Sequence, residues 1–402
     1  MLDFDSAQAT LAGRARAPEA TETLPLEALD GRILAEDIVA TVDLPRADNS
    51  AMDGYALRCA DFAPGAALPI QAHQYAGHAP EPLRPGQAIR LFTGSLIPEG
   101  ADAVVMQEDT ETSDAGVRIL RAPRPGDHVR RRGEDMRRGE VVLHRGTRIG
   151  PGQVAVLAAQ GRAAALAYPR LRVGILTNGD ELVAPGRPLG PAAVHNSNGP
   201  MLAALCKGMG ADPVRVLHAP DQADAIESAL DELSRACDLV LSVGGASVGD
   251  KDLVKPAIEA LGGTLDLWRV RMKPGKPVAL ATLADRPLVC LPGNPVSAFV
   301  VFALLASPLI RGLQGRREVL PPVWRGVLRT DRTWGGGGRD DFLRVRVEHR
   351  PDGLPVLTPH EQQSSGAMCS LAWAHGLARV PADTRTGDGA VLSWYPLPDW
   401  LA

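Results

Sequence analysis

The sequence of 402 residues lacks several features that would point to a particular class of protein. Its five cysteines form no Cys-x-x-Cys pair, so neither a disulfide framework nor a zinc ribbon is expected, and a reducing cytoplasm fits best. The nine histidines have no His-x-x-His spacing, which argues against a zinc hydrolase. Aromatic residues make up only 4% of the chain, whereas glycine occurs 42 times and proline 34 times, which is typical of many turns and short strands.

An excess of charge of either sign is also lacking. The formal net charge of −4 gives no general attraction to nucleic acid or to an anionic membrane. A run of three arginines at 130–132 is interleaved with Glu134 and Asp135, so it does not favour nucleic-acid binding. No apolar run approaches the ~18–20 residues that span a bilayer, and the longest, Ala298–Ile310, predicts a buried helix. We therefore expect neither a nucleic-acid nor a membrane partner.

The residue pattern predicts a multi-domain protein with α/β and β parts. Short, apolar strands alternate with helices in one long segment, which predicts a doubly wound α/β domain. Another segment has apolar runs broken by glycine and proline, which predicts an inserted all-β module. Residues 1–45 have helical spacing before an extended end, so a helical segment that feeds a strand is expected there. The predicted domains are 1–17 with 169–318 (α/β), 18–45 with 140–168 (a linker domain of helix and strand), 46–139 (the β module) and 319–402 (a C-terminal domain resembling a β-barrel).

Chemistry in an open α/β sheet is expected where its parallel strands end, and here carboxylates follow three predicted strands. So many carboxylates on one edge repel each other unless a cation joins them, and hard oxygen ligands suit Mg²⁺. Two glycine-containing segments that open helices could cradle an anion with their backbone N–H groups. The carboxylates are those of Asp180, Glu181, Asp221, Asp250 and Asp252, and the two segments are Gly244–Gly249 and Pro292–Ser297.

Several of these residues also have purely structural interpretations. Asp221, Asp250 and Asp252 could each be a helix N-cap. In the β module, the segments Asp48–Ala56 and Thr93–Ser95 could be turns rather than sites.

Lysine is scarce and unevenly placed. Only five of the 43 basic residues are lysine, and four of those five fall between positions 251 and 276. Lys273 and Lys276 lie on one proline-containing turn before an apolar strand, which favours a site that needs compact ammonium groups instead of planar guanidinium groups. A solvated hairpin, with the clustering an accident of composition, is the alternative.

At these residues the sequence resembles the molybdopterin molybdenumtransferases, the molybdenum insertases that include the E domain of gephyrin. The likeness extends from about Leu24 to the C-terminus. It rests on the ordered segments Asp48–Ala56, Thr93–Glu108, Gly133–Asp135, Thr177–Leu182, Gly244–Asp252, Lys273–Pro277 and Leu291–Ser297. The resemblance implies an enzyme that takes adenylylated molybdopterin and molybdate, releases AMP and forms the molybdenum cofactor with Mg²⁺ or a similar divalent cation. It also implies a homodimer in which the β module reaches the partner's site.

The resemblance further implies roles for individual residues. The residues that match catalytic positions are Asp53, Thr93, Asp135, Glu181, Asp221 and Asp252. Those that match metal-binding positions are Asp180, Glu181, Asp221, Asp250 and Asp252. Those that match substrate or oxyanion positions are Gly244, Gly245, Ser247, Lys273, Lys276, Pro292, Pro295, Ser297, Arg344, Ser364 and Ser365.

Two other functions compete with this interpretation. The sister enzyme that adenylylates molybdopterin shares the α/β domain type, but it needs neither the β module nor the C-terminal domain. A non-enzymatic scaffold would be expected to have lost the site residues, which are intact here. We therefore expect a positioning enzyme, in which molybdate itself attacks the phosphoanhydride and the protein holds two anions together.

Overall fold

A computed structural model of the chain describes residues 1–244, 253–398 and 400–401. The chain divides into two compact units. The larger unit comprises Met1–Glu36, Arg145–Val154 and Ala164–Ala402, and the smaller comprises Asp37–His144 and Ala155–Ala163. The finer division into four domains stays a prediction.

The helices are few, and most belong to the larger unit. They are Phe4–Gly13, Pro151–Ala159, Asn198–Gly208, Ala223–Ala236, Val254–Ala260, Pro295–Val301, Ser307–Leu313 and Cys369–Trp373, with a π-helical turn at Phe302–Ala306. Short 3₁₀ turns lie at Leu26–Ala28, Cys59–Asp61 and Gln107–Asp109.

Strands make up most of the remaining regular structure. In the larger unit they are Glu22–Pro25, Ala164–Ala167, Arg172–Asn178, Leu182–Val183, Val194–His195, Asp212–Ala219, Leu239–Val243, Thr264–Trp268, Met272–Lys273, Ala279–Leu283, Arg286–Leu291, Trp324–Leu328, Trp334–Gly335, Asp340–Glu348, Val356–Pro359, Gly376–Val380, Arg385–Thr386 and Val391–Pro396. In the smaller unit they are Ile38–Val39, Asn49–Ser50, Gly54–Leu57, Ala67–Leu68, Ile70–Gln74, Ala88–Leu91, Ala103–Met106, Thr110–Ser113, Gly116–Ile119, Val129–Arg130 and Val141–Leu143.

A six-stranded sheet forms the centre of the larger unit and confirms the predicted doubly wound α/β fold. Asp212–Ala219, Arg172–Asn178, Leu239–Val243 and Arg286–Leu291 pair in parallel, in that order. Two antiparallel strands extend the edge beyond Arg286–Leu291: Ala279–Leu283, which is the apolar strand expected after the lysine turn, and Thr264–Trp268, which the sequence pattern did not reveal. The central strands are apolar along their length because helices cover both faces of the sheet and bury them.

The long apolar segment that was predicted to be a buried helix is a buried helix in the structure. Helix Pro295–Leu313 is long and apolar enough to cross a membrane, but 89% of its most apolar window is buried inside the protein. Its side chains, such as Phe302 and Leu309, belong to the core cluster that packs against the central sheet. Burial in that core accounts for its apolar composition.

The C-terminal region closes into a five-stranded barrel, as the sequence predicted. Asp340–Glu348 pairs on one side with Val356–Pro359 and on the other with Gly376–Val380, so the sheet returns on itself. The N-terminal helix packs onto this region, since the Phe4 ring lies 4.7 Å from the Phe342 ring. Asp5 also accepts two hydrogen bonds from Arg379, at 2.7 and 2.9 Å.

The expectation of a helical segment over residues 1–45 is wrong beyond the first turns. Helix Phe4–Gly13 begins after Asp3, whose carboxylate accepts the Ser6 N–H at 2.8 Å. Glu22–Pro25 then forms a strand that pairs antiparallel with Ala164–Ala167. Gly13 and the prolines that follow it interrupt the helical spacing, because proline removes an N–H group and clashes with the preceding turn.

The smaller unit is built from β-structure, as predicted for the inserted module. Ile70–Gln74, Ala88–Leu91, Gly54–Leu57 and Ala103–Met106 form a four-stranded sheet, and a separate three-stranded sheet packs with it. The Gly and Pro pairs between the apolar runs mark its turns. Gly65, for example, has a φ of +80°, a conformation that favours glycine.

Candidate functional site

A cavity of about 560 Å³ lies at the carboxyl edge of the parallel strands in the larger unit. Three of its wall segments lie at the ends of strands: Asn178–Gly179, Val243–Gly244 and Pro292–Pro295. The parallel strands end at the same edge, so the polar residues after each strand come together around one space. Of the predicted site residues, Glu181, Asp221, Gly244, Pro292, Pro295 and Ser297 line this cavity.

Asp180 and Asp221 bind each other's backbone at one side of the cavity. The Asp221 N–H donates to the Asp180 carboxylate at 3.0 Å, and the Asp180 N–H donates to the Asp221 carboxylate at 3.4 Å. Asp221 also accepts a hydrogen bond from the Asn178 amide at 3.2 Å. The next helix begins at Ala223, with Gln222 as its N-cap residue, so Asp221 is not the helix cap that the sequence left open. Its contacts instead fix the turn that carries Asp180 and Glu181.

Glycines at two strand ends allow close approach of the backbone to polar groups. Gly179 has a φ of +142°, and a Cβ atom there would lie 2.5 Å from a Glu181 carboxylate oxygen. Gly244 has a φ of +102°, and a Cβ atom there would lie 2.8 Å from the Asn178 carbonyl oxygen. A side chain at Gly244 would therefore collide with the Asn178 backbone, whereas at Gly179 the positive φ disfavours a side chain and the Glu181 carboxylate would have to move.

Two asparagines, which the sequence reasoning missed, present unpartnered acceptors at this cavity. The side-chain oxygens of Asn178 and Asn198 are buried and have no hydrogen-bond partner among the described residues. The Asn198 amide nitrogen donates to the Gly293 carbonyl at 2.7 Å, which fixes the orientation of that side chain. Buried acceptors are seldom left unpaired in native proteins, so these oxygens suit a ligand with N–H donors or a cation. For Asn178 the signal in the sequence was a polar amide at the end of an apolar strand, whereas Asn198 begins a helix and had no such signal.

The strand Arg286–Leu291 leads into the segment that forms the opposite wall. Pro295 occupies the first turn of the following helix, where a missing N–H group costs nothing, and Asn294 is the N-cap residue. Ser297 is buried in that turn. The Asn294 amide donates to the Ser365 hydroxyl at 3.2 Å, which ties this wall to the C-terminal region.

The lysine turn lies beside the cavity, and among its residues Pro277 contributes to the lining. Lys273 is on a short strand that pairs with Asp340–Asp341, and its ammonium lies 3.3 Å from the Asp341 carboxylate. Gly275 is buried, whereas the Lys276 side chain is exposed. The backbone of the turn is therefore packed at Pro274 and Gly275, whereas the Lys273 and Lys276 side chains are both exposed, and the role of the lysines stays a prediction.

Arg344 is almost completely buried, with 1% of its surface exposed, and it binds the loop that carries Ser364 and Ser365. Its guanidinium donates to the carbonyl oxygens of Gln362 and Ser364 at 3.3 and 3.1 Å, and to the Ser370 hydroxyl at 3.1 Å. Burial lowers the pKa of Arg344 to about 10. These contacts make Arg344 a positioning residue for the loop, whereas its predicted role in oxyanion binding stays a prediction.

In the smaller unit, Asp53 and Thr93 lie in direct contact. The Asp53 carboxylate accepts both the Thr93 N–H and the Thr93 hydroxyl at 2.7 Å. The hydrogen bond from the Thr93 side chain lowers the pKa of Asp53 below its ordinary value. The Asp135 side chain is exposed. The structure thus brings Asp53 and Thr93 together, and their catalytic roles stay a prediction.

The arginine run of the smaller unit is engaged with carboxylates. Arg131 lies 2.7 Å from Asp48, and Arg132 lies 2.6 Å from Asp43. These ion pairs are local to the module and neutralise part of its positive charge. The expectation that the run does not serve nucleic-acid binding stays a prediction.

The remaining predicted residues cannot be placed. Gly245, Ser247, Asp250 and Asp252 lie outside the described residues. Within the described part of the chain, no group of three or more His, Cys, Asp or Glu side chains is arranged to hold a metal ion. The predicted Mg²⁺ site, which includes Asp250 and Asp252, therefore stays a prediction.

Three family models match successive parts of the chain. They are the MoeA N-terminal region (domain I and II) at residues 2–161, the probable molybdopterin binding domain at residues 174–312 and the MoeA C-terminal region (domain IV) at residues 327–397. A crystal structure of the molybdopterin biosynthesis MoeA protein from Pyrococcus horikoshii OT3 covers 99% of this chain and 100% of its own, with a TM-score of 0.82 and 28% identity. The whole architecture is therefore that of a known group of proteins.

Curated relatives are similar over nearly the whole sequence. A molybdopterin molybdenumtransferase of Haemophilus influenzae is 37% identical over 86% of this chain and 85% of its own length. A protein of the same name from a Nostoc species is 38% identical over 90% of this chain and 85% of its own length. The chain thus belongs to the molybdopterin molybdenumtransferase family and is a transferase of molybdenum cofactor biosynthesis.

Proposed function

We propose that this chain inserts molybdenum from molybdate into adenylylated molybdopterin and releases AMP. The observation that carries the proposal is the cavity of about 560 Å³ at the carboxyl edge of the parallel strands. It combines carboxylates, glycine-lined backbone and unpartnered amide oxygens, which are the groups that a nucleotide with phosphates and a heterocyclic base requires. The names of the curated relatives supply the substrate class.

The two buried asparagine oxygens support a base or pterin in this cavity. Adenine and pterin rings both present N–H donors, and the oxygens of Asn178 and Asn198 are acceptors without donors among the described residues. A ligand that donated to both oxygens would remove the cost of leaving buried acceptors unpaired. The asparagines would thus orient the ligand by its ring edges.

The carboxylates of the cavity need a positive charge when an anionic substrate binds. Glu181 and Asp221 line the cavity, and Asp180 is bound to the Asp221 backbone. These hard oxygen donors fit Mg²⁺, and they would hold it together with Asp250 and Asp252 of the predicted set. When bound, Mg²⁺ would supply charge that offsets the repulsion between carboxylates and phosphates.

No nucleophilic side chain is required for the proposed reaction. A molybdate oxygen attacks the adenylyl phosphorus, and the phosphoanhydride bond breaks, which leaves the terminal phosphate on molybdopterin. The dithiolene sulfurs then bind the molybdenum, and its bond to the oxygen on the adenylyl phosphorus breaks. AMP leaves with that oxygen. The chain contributes orientation and exclusion of water, with the exposed Lys276 ammonium as the proposed donor to molybdate.

We also propose a homodimer with composite sites, located in the cytoplasm. Asp53 and Thr93 form one contact in the smaller unit, whereas the cavity belongs to the larger unit. An inactive Asp53→Ala chain mixed with an inactive Asp252→Ala chain should then restore part of the activity. Absence of rescue in confirmed mixed dimers would favour sites built within one chain.

The carboxylate variants Asp221→Asn and Glu181→Gln test the proposed site. Each should lower the rate of AMP release from adenylylated molybdopterin by about 10²-fold, because a proposed ligand of the cation that offsets the phosphate charge is removed. Asp224→Asn is the matched control, since Asp224 is an exposed carboxylate in the helix that follows Asp221. If the site variants and the control released AMP at the same rate, this cavity would not be the reaction site.

A further inference from the structure

A second cavity of the larger unit, of about 470 Å³, is lined mainly by arginines. Its charged lining residues are Arg148, Arg311, Arg316, Arg317 and Glu318. It shares no lining residue with the cavity at the carboxyl edge of the sheet. Four guanidinium groups therefore face one carboxylate in a space that the proposed reaction does not use.

Two of the arginines are buried beside this cavity. Arg311 and Arg316 are 9% and 7% exposed. The hydrogen bonds of Arg316 go to neutral acceptors, the Gln314 side chain at 2.7 Å and the Met209 carbonyl at 2.5 Å. Among the described residues neither arginine has a carboxylate within ion-pair distance, and the attraction of Glu318 offsets only part of the burial and repulsion that act on Arg311.

Arg311 is held against a tryptophan and leaves one donor unused. Its guanidinium carbon lies 3.5 Å from the centre of the Trp400 ring, and one terminal nitrogen donates to the Trp400 carbonyl at 2.6 Å. The Arg311 Nε is buried and has no hydrogen-bond partner among the described residues. A buried donor without an acceptor is uncommon, because it loses its hydrogen bonds to water and gains no other hydrogen bond.

The arginines also repel one another. Burial, with repulsion from Arg148, lowers the pKa of Arg311 to about 10. Burial, with repulsion from Arg311 and Arg148, lowers the pKa of Arg316 to about 9. An anion in the cavity would relieve this repulsion.

The two exposed arginines are brought together by the backbone. The Arg317 N–H donates to the Gly146 carbonyl at 3.0 Å, which places it next to the turn that carries Arg148. Gly146 has a φ of +84°, and a Cβ atom there would lie 2.8 Å from the Arg317 nitrogen. Neither Arg148 nor Arg317 has an ion-pair partner within the described ranges. Both side chains are therefore available to a ligand.

We propose that this arginine-lined cavity binds a phosphate group, either as inorganic phosphate or carried on a small organic molecule. Arg148 and Arg317 contact the phosphate oxygens, since guanidinium groups match phosphate geometry in a bidentate manner. Arg311 and Arg316 supply buried positive charge behind them. The volume of the cavity exceeds that of a bare phosphate and accommodates a small organic phosphate.

Isothermal titration calorimetry on the full chain tests this site. Inorganic phosphate and glycerol 3-phosphate are titrated separately, and chloride keeps the ionic strength constant. The wild type should bind at least one of the two saturably, and the tighter one identifies the source of the phosphate. The double variant Arg148→Gln/Arg317→Gln should bind about tenfold or more weakly, and both substitutions are exposed and leave folding intact.

Arg325→Gln is the matched control, because it removes an exposed arginine of the same unit outside both cavities. It should bind phosphate like the wild type. The absence of saturable binding of either compound would overturn the proposal. Equal affinity of the double variant and the wild type for phosphate would also overturn it, because the phosphate would then bind elsewhere, such as in the cavity at the carboxyl edge. Neither result depends on AMP release, so the proposed function is tested separately.

Discussion

Replacement of Arg344 by glutamine should destabilise the C-terminal region and loosen one wall of the site. The Arg344 guanidinium makes three hydrogen bonds, to Gln362, Ser364 and Ser370. Each hydrogen bond from a charged donor contributes about 1.5–3 kcal/mol. Burial opposes this, since it lowers the pKa of Arg344 to about 10, which corresponds to roughly 3 kcal/mol. The expected net loss in free energy of unfolding is about 3 kcal/mol.

The functional consequence of the same change follows from the loop that Arg344 holds. That loop carries Ser365, whose hydroxyl accepts the Asn294 amide in the cavity wall. A looser loop should raise the KM for adenylylated molybdopterin more than it lowers kcat, because Arg344 itself touches no reacting atom.

Chemical denaturation followed by tryptophan fluorescence measures the stability change, with Arg346→Gln as the control. Arg346 is on the same strand, but its side chain is exposed; it makes one long hydrogen bond, 3.3 Å to the Trp373 carbonyl, and its guanidinium lies 4.9 Å from the centre of the Trp373 ring. We expect the control to lose less than about 1 kcal/mol. Equal stability of the Arg344 and Arg346 variants would refute the assignment of Arg344 as a positioning residue.

Three further predictions follow from single contacts. Gly275→Ala should destabilise the protein by about 1–3 kcal/mol in thermal denaturation, because Gly275 has a φ of +114° and a Cβ atom there would lie 2.5 Å from a Val301 methyl group. A variant as stable as the wild type would contradict the packing of the lysine turn. Thr93→Val should raise the pKa of Asp53, because the hydrogen bond that lowers this pKa is lost. In the wild type, the stability that this contact contributes should be present at pH values above the ordinary pKa of aspartate and should be lost as the pH falls through the lowered pKa of Asp53. An unchanged titration of Asp53 by NMR would disprove the contact. Lys276→Arg should weaken the use of molybdate while nucleotide binding is retained, and turnover like that of the wild type at all molybdate concentrations would remove Lys276 from the oxyanion site.

The sequence predicted the parts of the fold that depend on local pattern. Apolar strands followed by glycine or carboxylate residues located the edge where Glu181, Asp221 and Gly244 meet. This was possible because the end of a strand and the turn after it depend on residues that are neighbours in the sequence. The buried helix that includes Ala298–Ile310 was evident from its apolar composition. Both features need no knowledge of distant contacts.

Features that depend on distant contacts were not evident. Leu182–Val183 and Val194–His195 form a small parallel pair at the cavity, which no periodicity over two residues could reveal. The pairing of the lysine strand with Asp340–Asp341 joins residues almost seventy positions apart. Arginine side chains are mostly exposed in proteins, and only tertiary packing buries those of Arg311 and Arg316.

The measurement that tests the central claim most directly is AMP release from adenylylated molybdopterin by the purified wild-type chain, with and without molybdate. The account predicts AMP release that depends on molybdate and Mg²⁺ and that matches the molybdenum cofactor formed one for one. Equal AMP release without molybdate would make the chain a hydrolase of the adenylylated substrate and would contradict the account.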